Sequence, residues 1–253
     1  MPRSPARSAD GPPGAQAIGR AAAVLAQVAR HHVRGLPLRE LVELTGLDRT
    51  TAWRIASALQ REALVQRDES GLYRLGLGAM AIGAAAMDRP PMVDRCRPVM
   101  KTLARLSGDN VFLVVRHGDH SLCLHLEEGA NKVRSFPLNV GATRLLGLGV
   151  GSIALLARLS DEAVAQHYAR HAAEYGLHEV GRSRLLRWAA ATRQAGYSYA
   201  GAGGVTGVGL GFPLEGYSDA AMSVLAPRTR LPRVRAVQLA AAMREECRKA
   251  GLA

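Results

Sequence analysis

The run from Asp48 to Arg61, DRTTAWRIASALQR, carries two kinds of residue in one helical period. Ala52, Ile55, Ala56 and Leu59 recur at i, i+3, i+4 and i+7, an apolar stripe that asks for a core. Arg49, Thr50, Thr51, Trp53, Arg54, Ser57 and Arg61 occupy the opposite face. That face has the chemistry of duplex DNA recognition. Arginine bonds guanine edges or phosphate, and a threonine methyl meets the methyl of thymine. A helix that enters the major groove reads bases with its first residues, so Arg49, Thr50, Thr51 and Trp53 are the expected base-edge contacts. Asp48 is a good N-cap and leaves the helix start close to backbone phosphates. Trp53 on an outward face is costly unless it meets a partner or packs back on its own domain. Arg20 and Arg74 are further candidate phosphate contacts.

Other chemistry-bearing residues point nowhere as specific. Glycine clusters at 147–151 and 201–211 match neither G-x-G-x-x-G nor G-x-x-x-x-G-K-[ST]. A glycine-rich loop before a helix still presents amides to a carboxylate, or simply allows close backbone packing. His167 and His171 stand four residues apart in a helical stretch, but no H-E-x-x-H pattern accompanies them, so no metal site is expected. No G-x-S-x-G elbow, paired carboxylate or activated nucleophile is visible, so no catalytic residue and no cofactor are assigned.

The elements that position the polar face follow from periodicity and punctuation. Residues 1–16 are rich in Pro, Gly, Ser and Arg and read as a flexible tail. Ile18, Ala21, Val24, Leu25 and Val28 predict a first helix over about 17–31, and Pro37 opens a short second helix over 37–45 with Leu38, Leu41, Val42 and Leu44 inward. Thr45-Gly46-Leu47 is the turn before the third helix, 49–62. Strands 64–68 and 72–75 about Glu69-Ser70-Gly71 complete a winged helix-turn-helix. Residues 77–91 are an alanine-rich helical linker that ends at Pro90-Pro91.

Beyond it the pattern changes. Helices are expected over 92–107, 153–159, 161–173, 181–195 and 232–249, and strands over 111–116, 121–127, 133–136, 207–213 and 220–225. The whole is α+β. Its domains divide as tail 1–16, winged helix-turn-helix 17–76, linker 77–91 and second domain 92–253.

Composition bounds the setting. The formal net charge is +12 over 253 residues, with +4 in residues 1–90 and +8 beyond, so there is no concentrated basic tail. Three cysteines without a C-x-x-C pair make neither a zinc ribbon nor a disulfide framework, which suggests a reduced, cytoplasmic setting. No apolar run reaches a membrane span, and the start lacks a signal-peptide core.

These residues carry a resemblance. AIGRAAAVLAQVA followed by GLPLRELVELTGLDRTTAWRIASALQREALVQRDESGLYRLGLGAMAIG resembles the helix-turn-helix, wing and linker of the IclR family of bacterial transcriptional regulators. RPVMKTLARLSGDNVFLVVRHGDHSLCLHLEEG, VGATRLLGLGVGSIALLA and AGYSYAGAGGVTGVGLGFPLEGYSDAAMSVLAP resemble its second half in order. The resemblance implies a GAF-like effector-binding domain from about residue 91 and a homodimer, or dimer of dimers, on double-stranded operator DNA. It also implies a small organic acid as effector. By the same resemblance the ligand-facing positions are Gly149, Val150, Tyr199, Gly209 and Ser223, with Arg144 set to pair with a carboxylate and Cys123 at the pocket wall. The chain departs from the family at Leu145, Gly147, Tyr199 and Leu225, which implies a more apolar pocket suited to a larger or aromatic acid. Two other readings compete: a ligand-independent DNA-binding protein with an oligomerisation domain, and a small-molecule enzyme.

Overall fold

The computed structural model describes residues 15–88, 91–131, 138–214 and 219–252. Most of the expected tail, and the strand expected at 133–136, lie outside the described residues. The chain divides into two compact units, Met1–Asp88 and Arg89–Ala253.

The first unit is built from α1 (Ala15–Arg30), α2 (Leu38–Thr45), α3 (Arg49–Arg61), β1 (Val65–Arg67), β2 (Tyr73–Leu75) and α4 (Leu77–Asp88). Val24, Val28, Leu36, Leu41, Ala56, Leu59, Val65 and Tyr73 form its core. Leu44, expected inward, is 46% exposed instead, because an eight-residue helix between two partners buries only the stripe around Leu41. Gly46 makes the turn: it closes α2 in the left-handed region at φ 67° and returns its N–H to Val42 O, a conformation that costs other residues about 1–2 kcal/mol. Asp48 then caps α3 by accepting from the Thr51 N–H at 2.9 Å. The hairpin pairs Val65 with Leu75 and Arg67 with Tyr73, and Tyr73 also bridges to Leu36. So the wing is tied to the α1–α2 connection.

The second unit holds α5 (Pro91–Ser107), β3 (Asn110–His117), β4 (His120–Glu127), β5 (Thr143–Leu145), α6 (Val150–Leu156), α7 (Asp161–Arg170), α8 (Ala172–Gly176), α9 (Arg182–Ala195), β6 (Ser198–Ala202), β7 (Val205–Phe212), β8 (Ala220–Pro227) and α10 (Arg233–Lys249). The six strands make one antiparallel sheet in the order β5-β4-β3-β8-β7-β6. β3 and β8 are almost wholly buried because both sheet faces are covered. α5 and α10 pack on one face and α6 on the other, with α9 against α6 and β6. Two strands were not expected from sequence. β5 is only three residues long, and β6, SYAGA, is dominated by small residues that give little strand signal. Helix α6 starts at Val150, three residues before its expected beginning.

Candidate functional site

Two sets of side chains concern function, one in each unit. On α3 the apolar stripe faces the core, and Arg49, Thr50, Trp53, Arg54 and Arg61 face solvent, with Thr51 and Ser57 half-buried. Trp53 is 52% exposed, so packing against its own unit leaves half its surface open. Arg20 on α1 is exposed. The Asp48 carboxyl is held below its usual range by the backbone and side-chain hydrogen bonds of Thr51.

Arg74 is placed differently from the expectation. Its guanidinium donates to the carbonyls of His32 at 2.7 Å and Val33 at 2.6 Å, and it pairs with Asp68 at 2.9 Å. These bonds fasten the hairpin to the end of α1 and engage the donors that a phosphate contact would need. The exposed cation of the wing is Arg67, which donates to Gly71 O and lies over the Tyr73 ring, 5.7 Å from its centroid. Sequence reasoning passed over Arg67. Strand alternation would put Arg67 on the same side as the buried Val65, so the sequence carried no signal of its exposure.

In the second unit a cavity opens between the sheet and the glycine loop that precedes α6. Val114, Leu138, Leu148, Val150 and Leu225 supply its apolar wall, and Arg144, Ser121, Ser152, Ser223, Gly149 and Gly151 complete it. The volume open to the centre of a water molecule is about 40 Å³, room for about three waters at about 10–15 Å³ each. The loop is built tightly. Gly147 adopts φ 88°, and a Cβ there would stand 2.5 Å from Leu185 Cδ1. Ser152 Oγ accepts from Gly147 N–H and donates to Leu145 O, both at 3.0 Å, so this hydroxyl is engaged in holding the loop. Ser223 is fully buried in the cavity wall, its Oγ 3.2 Å from where a Cβ on Gly151 would lie.

Among the described residues, Arg144 is the one charged residue of that wall. Burial pushes its pKa down, opposed only by Cys123. Among the described residues no carboxylate pairs with it. Gly149, at φ 122°, lies beside it: a Cβ there would stand in ordinary contact, 3.6 Å from Arg144 Nη1.

Of the seven positions expected to face a ligand, the fold brings Arg144, Gly149, Val150 and Ser223 to the cavity. The other three lie elsewhere. Ser198 points under α6, where its Oγ donates to Val150 O at 2.7 Å, so the next residue on β6, Tyr199, faces the other side of the sheet. There Tyr199 donates to Leu231 O at 3.0 Å. Gly209 sits beneath the same helix, where a Cβ would come within 2.6 Å of Ser198 Oγ and 2.9 Å of Val150 O. Its role is close packing of β7 against α6. Cys123 is buried in the core beside the cavity, and burial pushes its thiol up to about 11. Sequence reasoning named the glycine cluster 147–151 but not Leu148 or Ser152 as lining residues, and it missed Val114, Ser121 and Leu138, because these come from separated strands and a loop that only the sheet assembles.

The family model of the IclR helix-turn-helix domain matches residues 17–69. The HTH-type transcriptional regulator TtgV of Pseudomonas putida is 30% identical over 187 residues, 72% of this chain and 70% of TtgV. The chain belongs to the IclR family. The HTH-type transcriptional regulator KipR of Bacillus subtilis is 32% identical over 133 residues, and that alignment spans about half of each protein, 53%. The crystal structure of an IclR family transcriptional regulator from Brucella abortus shares the fold, with a TM-score of 0.77 at 21% identity over 93% of this chain and 91% of that one. So does an IclR homolog from Microbacterium hydrocarbonoxydans solved with 4-hydroxybenzoate, with a TM-score of 0.59 at 17% identity over 92% and 99%. Membership brings a DNA-binding helix-turn-helix and a place among transcriptional regulators. No helix among the described residues is long and apolar enough to cross a membrane.

Proposed function

We propose that this IclR-family chain is a cytoplasmic, homodimeric regulator whose affinity for operator DNA is set by a small organic acid bound in the cavity of its second unit. The observation that carries the reading is Arg144, a desolvated guanidinium without a carboxylate partner among the described residues, in a wall of apolar side chains, glycines and three serines. A bound carboxylate supplies the missing anion, and the guanidinium fork matches it in two parallel hydrogen bonds. Ser223 offers a hydroxyl to a second polar group of the ligand. The present volume suits a short acid. An aromatic acid such as the 4-hydroxybenzoate of the Microbacterium homolog requires the leucine side chains of the wall to move.

DNA is met by the exposed face of α3, with Arg49, Thr50, Thr51 and Trp53 at base edges, Arg54 and Ser57 alongside, and Arg20 and Arg67 on phosphates. A modest +4 over residues 1–90 favours two copies acting together, since affinity from phosphate contacts grows with the charges engaged. Helix α4 gives them a surface. From Leu77 to Met87 its residues are apolar or glycine on all sides, and Leu77, Met80 and Ile82 are all exposed, whereas such a helix belongs in a buried setting. Two-fold pairing buries it and sets two α3 helices on half-sites about 10–10.5 base pairs, or a multiple, apart.

The test is a paired screen of organic acids by thermal melting and by fluorescence anisotropy on DNA from the promoter of the adjoining genes. One acid is expected to raise Tm and to change operator affinity by about 5–150-fold, the usual coupling of about 1–3 kcal/mol. If acids that raise Tm leave DNA affinity unchanged, the linkage is wrong. If none raises Tm, the cavity is not an effector site.

A further inference from the structure

Away from the cavity, the β3–β4 turn brings Asp119 against two histidines four residues apart, His167 on α7 and His171 at its C-cap. Asp119 Oδ1 lies 3.3 Å from His167 Nδ1, and Oδ2 lies 2.9 Å from His171 Nε2. One ligand atom from each residue falls within 4.8 Å of the others. A tetrahedral ion with ligands at about 2.0–2.1 Å sets its ligand atoms about 3.3 Å apart; the His167 contact with Oδ1 has that spacing, whereas His171 meets the other oxygen, Oδ2, at 2.9 Å.

The hydrogen bonds around His167 show which nitrogen is bare. Tyr175 donates its hydroxyl hydrogen to Leu146 O, so its oxygen accepts from His167 Nε2 at 2.7 Å. The proton of the neutral ring therefore sits on Nε2, and the Nδ1 lone pair points at a carboxylate. His167 is 1% exposed, and its Nδ1 is buried without a hydrogen-bond partner among the described residues. Only His167 is fully buried, while Asp119 keeps about 30% of its side chain exposed; a bare ring nitrogen and a carboxylate oxygen facing each other are repulsive unless a proton or a metal cation stands between them.

We propose that Asp119, His167 and His171 form a binding site for a divalent transition-metal ion of the zinc class, with the fourth position open to water. Two imidazoles and a carboxylate are a borderline donor set suited to Zn²⁺ or Co²⁺. Metal-bound imidazoles carry an outer hydrogen-bond partner on the far nitrogen. For His167 this is Tyr175, at hydrogen-bond distance; for His171 the carboxylate on that side is that of Glu174, whose Oε2 lies 3.9 Å from Nδ1, beyond hydrogen-bond distance. Arg170 forks onto Asp119 at 2.9 and 3.0 Å. A carboxylate has about four lone-pair sites, so Asp119 holds this arginine and one metal bond together. The guanidinium charge still opposes a cation beside it and keeps the affinity moderate. A loaded ion staples the β3–β4 turn to α7. Through Tyr175 and Leu146 it also reaches the residue that precedes Gly147 in the cavity loop.

The experiment uses full-length protein freed of metal with EDTA, titrated with Co²⁺ by visible absorption and with Zn²⁺ by calorimetry. Wild type is expected to saturate at one ion per chain. His171→Gln and Asp119→Asn change partly exposed residues, and circular dichroism and melting would confirm that both fold. Each is expected to weaken binding at least about 100-fold. Arg170→Gln is expected to bind as tightly as wild type or more tightly. The proposal is overturned if wild type shows no saturating ion, or if the two ligand variants bind as wild type does, which would place the ion on other histidines. It is equally overturned if folded Arg170→Gln loses the ion as the ligand variants do, because the cluster is then an ion-paired latch that needs its arginine.

Discussion

Replacing Arg144 by glutamine removes the charge while keeping most of the stem and a polar end. If the side chain receives a carboxylate, the variant loses charge-assisted hydrogen bonds that are worth about 1.5–3 kcal/mol. At about 1.4 kcal/mol per decade that is about a 10–150-fold weaker Kd for the acid. The same change has a second, opposite signature. In the ligand-free protein this guanidinium is desolvated and lacks a carboxylate partner among the described residues, so the uncharged variant should melt at the same temperature or higher. A structural arginine would show the reverse, with lower stability and unchanged affinity. Calorimetry with the acid found by the screen, together with thermal melts with and without it, reads both signatures. The neutral amide of that acid serves as control and should bind wild type and variant alike. Unchanged acid affinity in Arg144→Gln, or a ligand-free protein destabilised by more than about 2 kcal/mol, would refute the assignment.

Other outcomes follow from the same geometry. Gly147→Ala meets both a positive φ and Leu185 at 2.5 Å; strain and overpacking together should cost about 2–5 kcal/mol in a denaturant titration, and a neutral result would mean that the loop is looser than described. Arg54→Ala should weaken operator binding and flatten its salt dependence by about one unit if it holds a phosphate, with the fold intact. Arg74→Ala should instead destabilise the first unit by about 2–3 kcal/mol through the lost bonds to His32, Val33 and Asp68. A stable Arg74→Ala protein that fails to bind DNA would restore the phosphate contact. The Asp68 carboxyl is lowered to about 2 by hydrogen bonds from Ser70, Arg74 and Leu72. A lowered folded-state pKa contributes stability above about pH 4 that is lost as the pH falls towards 2, so acid melts should show a loss over that window that Asp68→Asn lacks.

The helix-turn-helix was legible because its determinants are local. The apolar stripe Ala52, Ile55, Ala56 and Leu59, the cap at Asp48 and the turn at Gly46 each act within one or two helical turns, and the structure shows each of them in place. The α+β character of the second half was legible for the same reason, since long buried strands such as β3 declare themselves. Which side chains meet across the fold was not legible. Arg74 reads as an exposed wing cation until the carbonyl of His32, 42 residues away, captures it. Tyr199 reads as a pocket residue until the register of β6 turns its neighbour Ser198 under α6 and sends Tyr199 to the other face. His167 and His171 carry no metal motif in sequence, because Asp119 comes to His171 from 52 residues away. Local sequence specifies periodicity, caps and turns, because those energies are settled between near neighbours. The partners of a charge are chosen by sheet register and by packing between distant segments, and only the tertiary structure decides those.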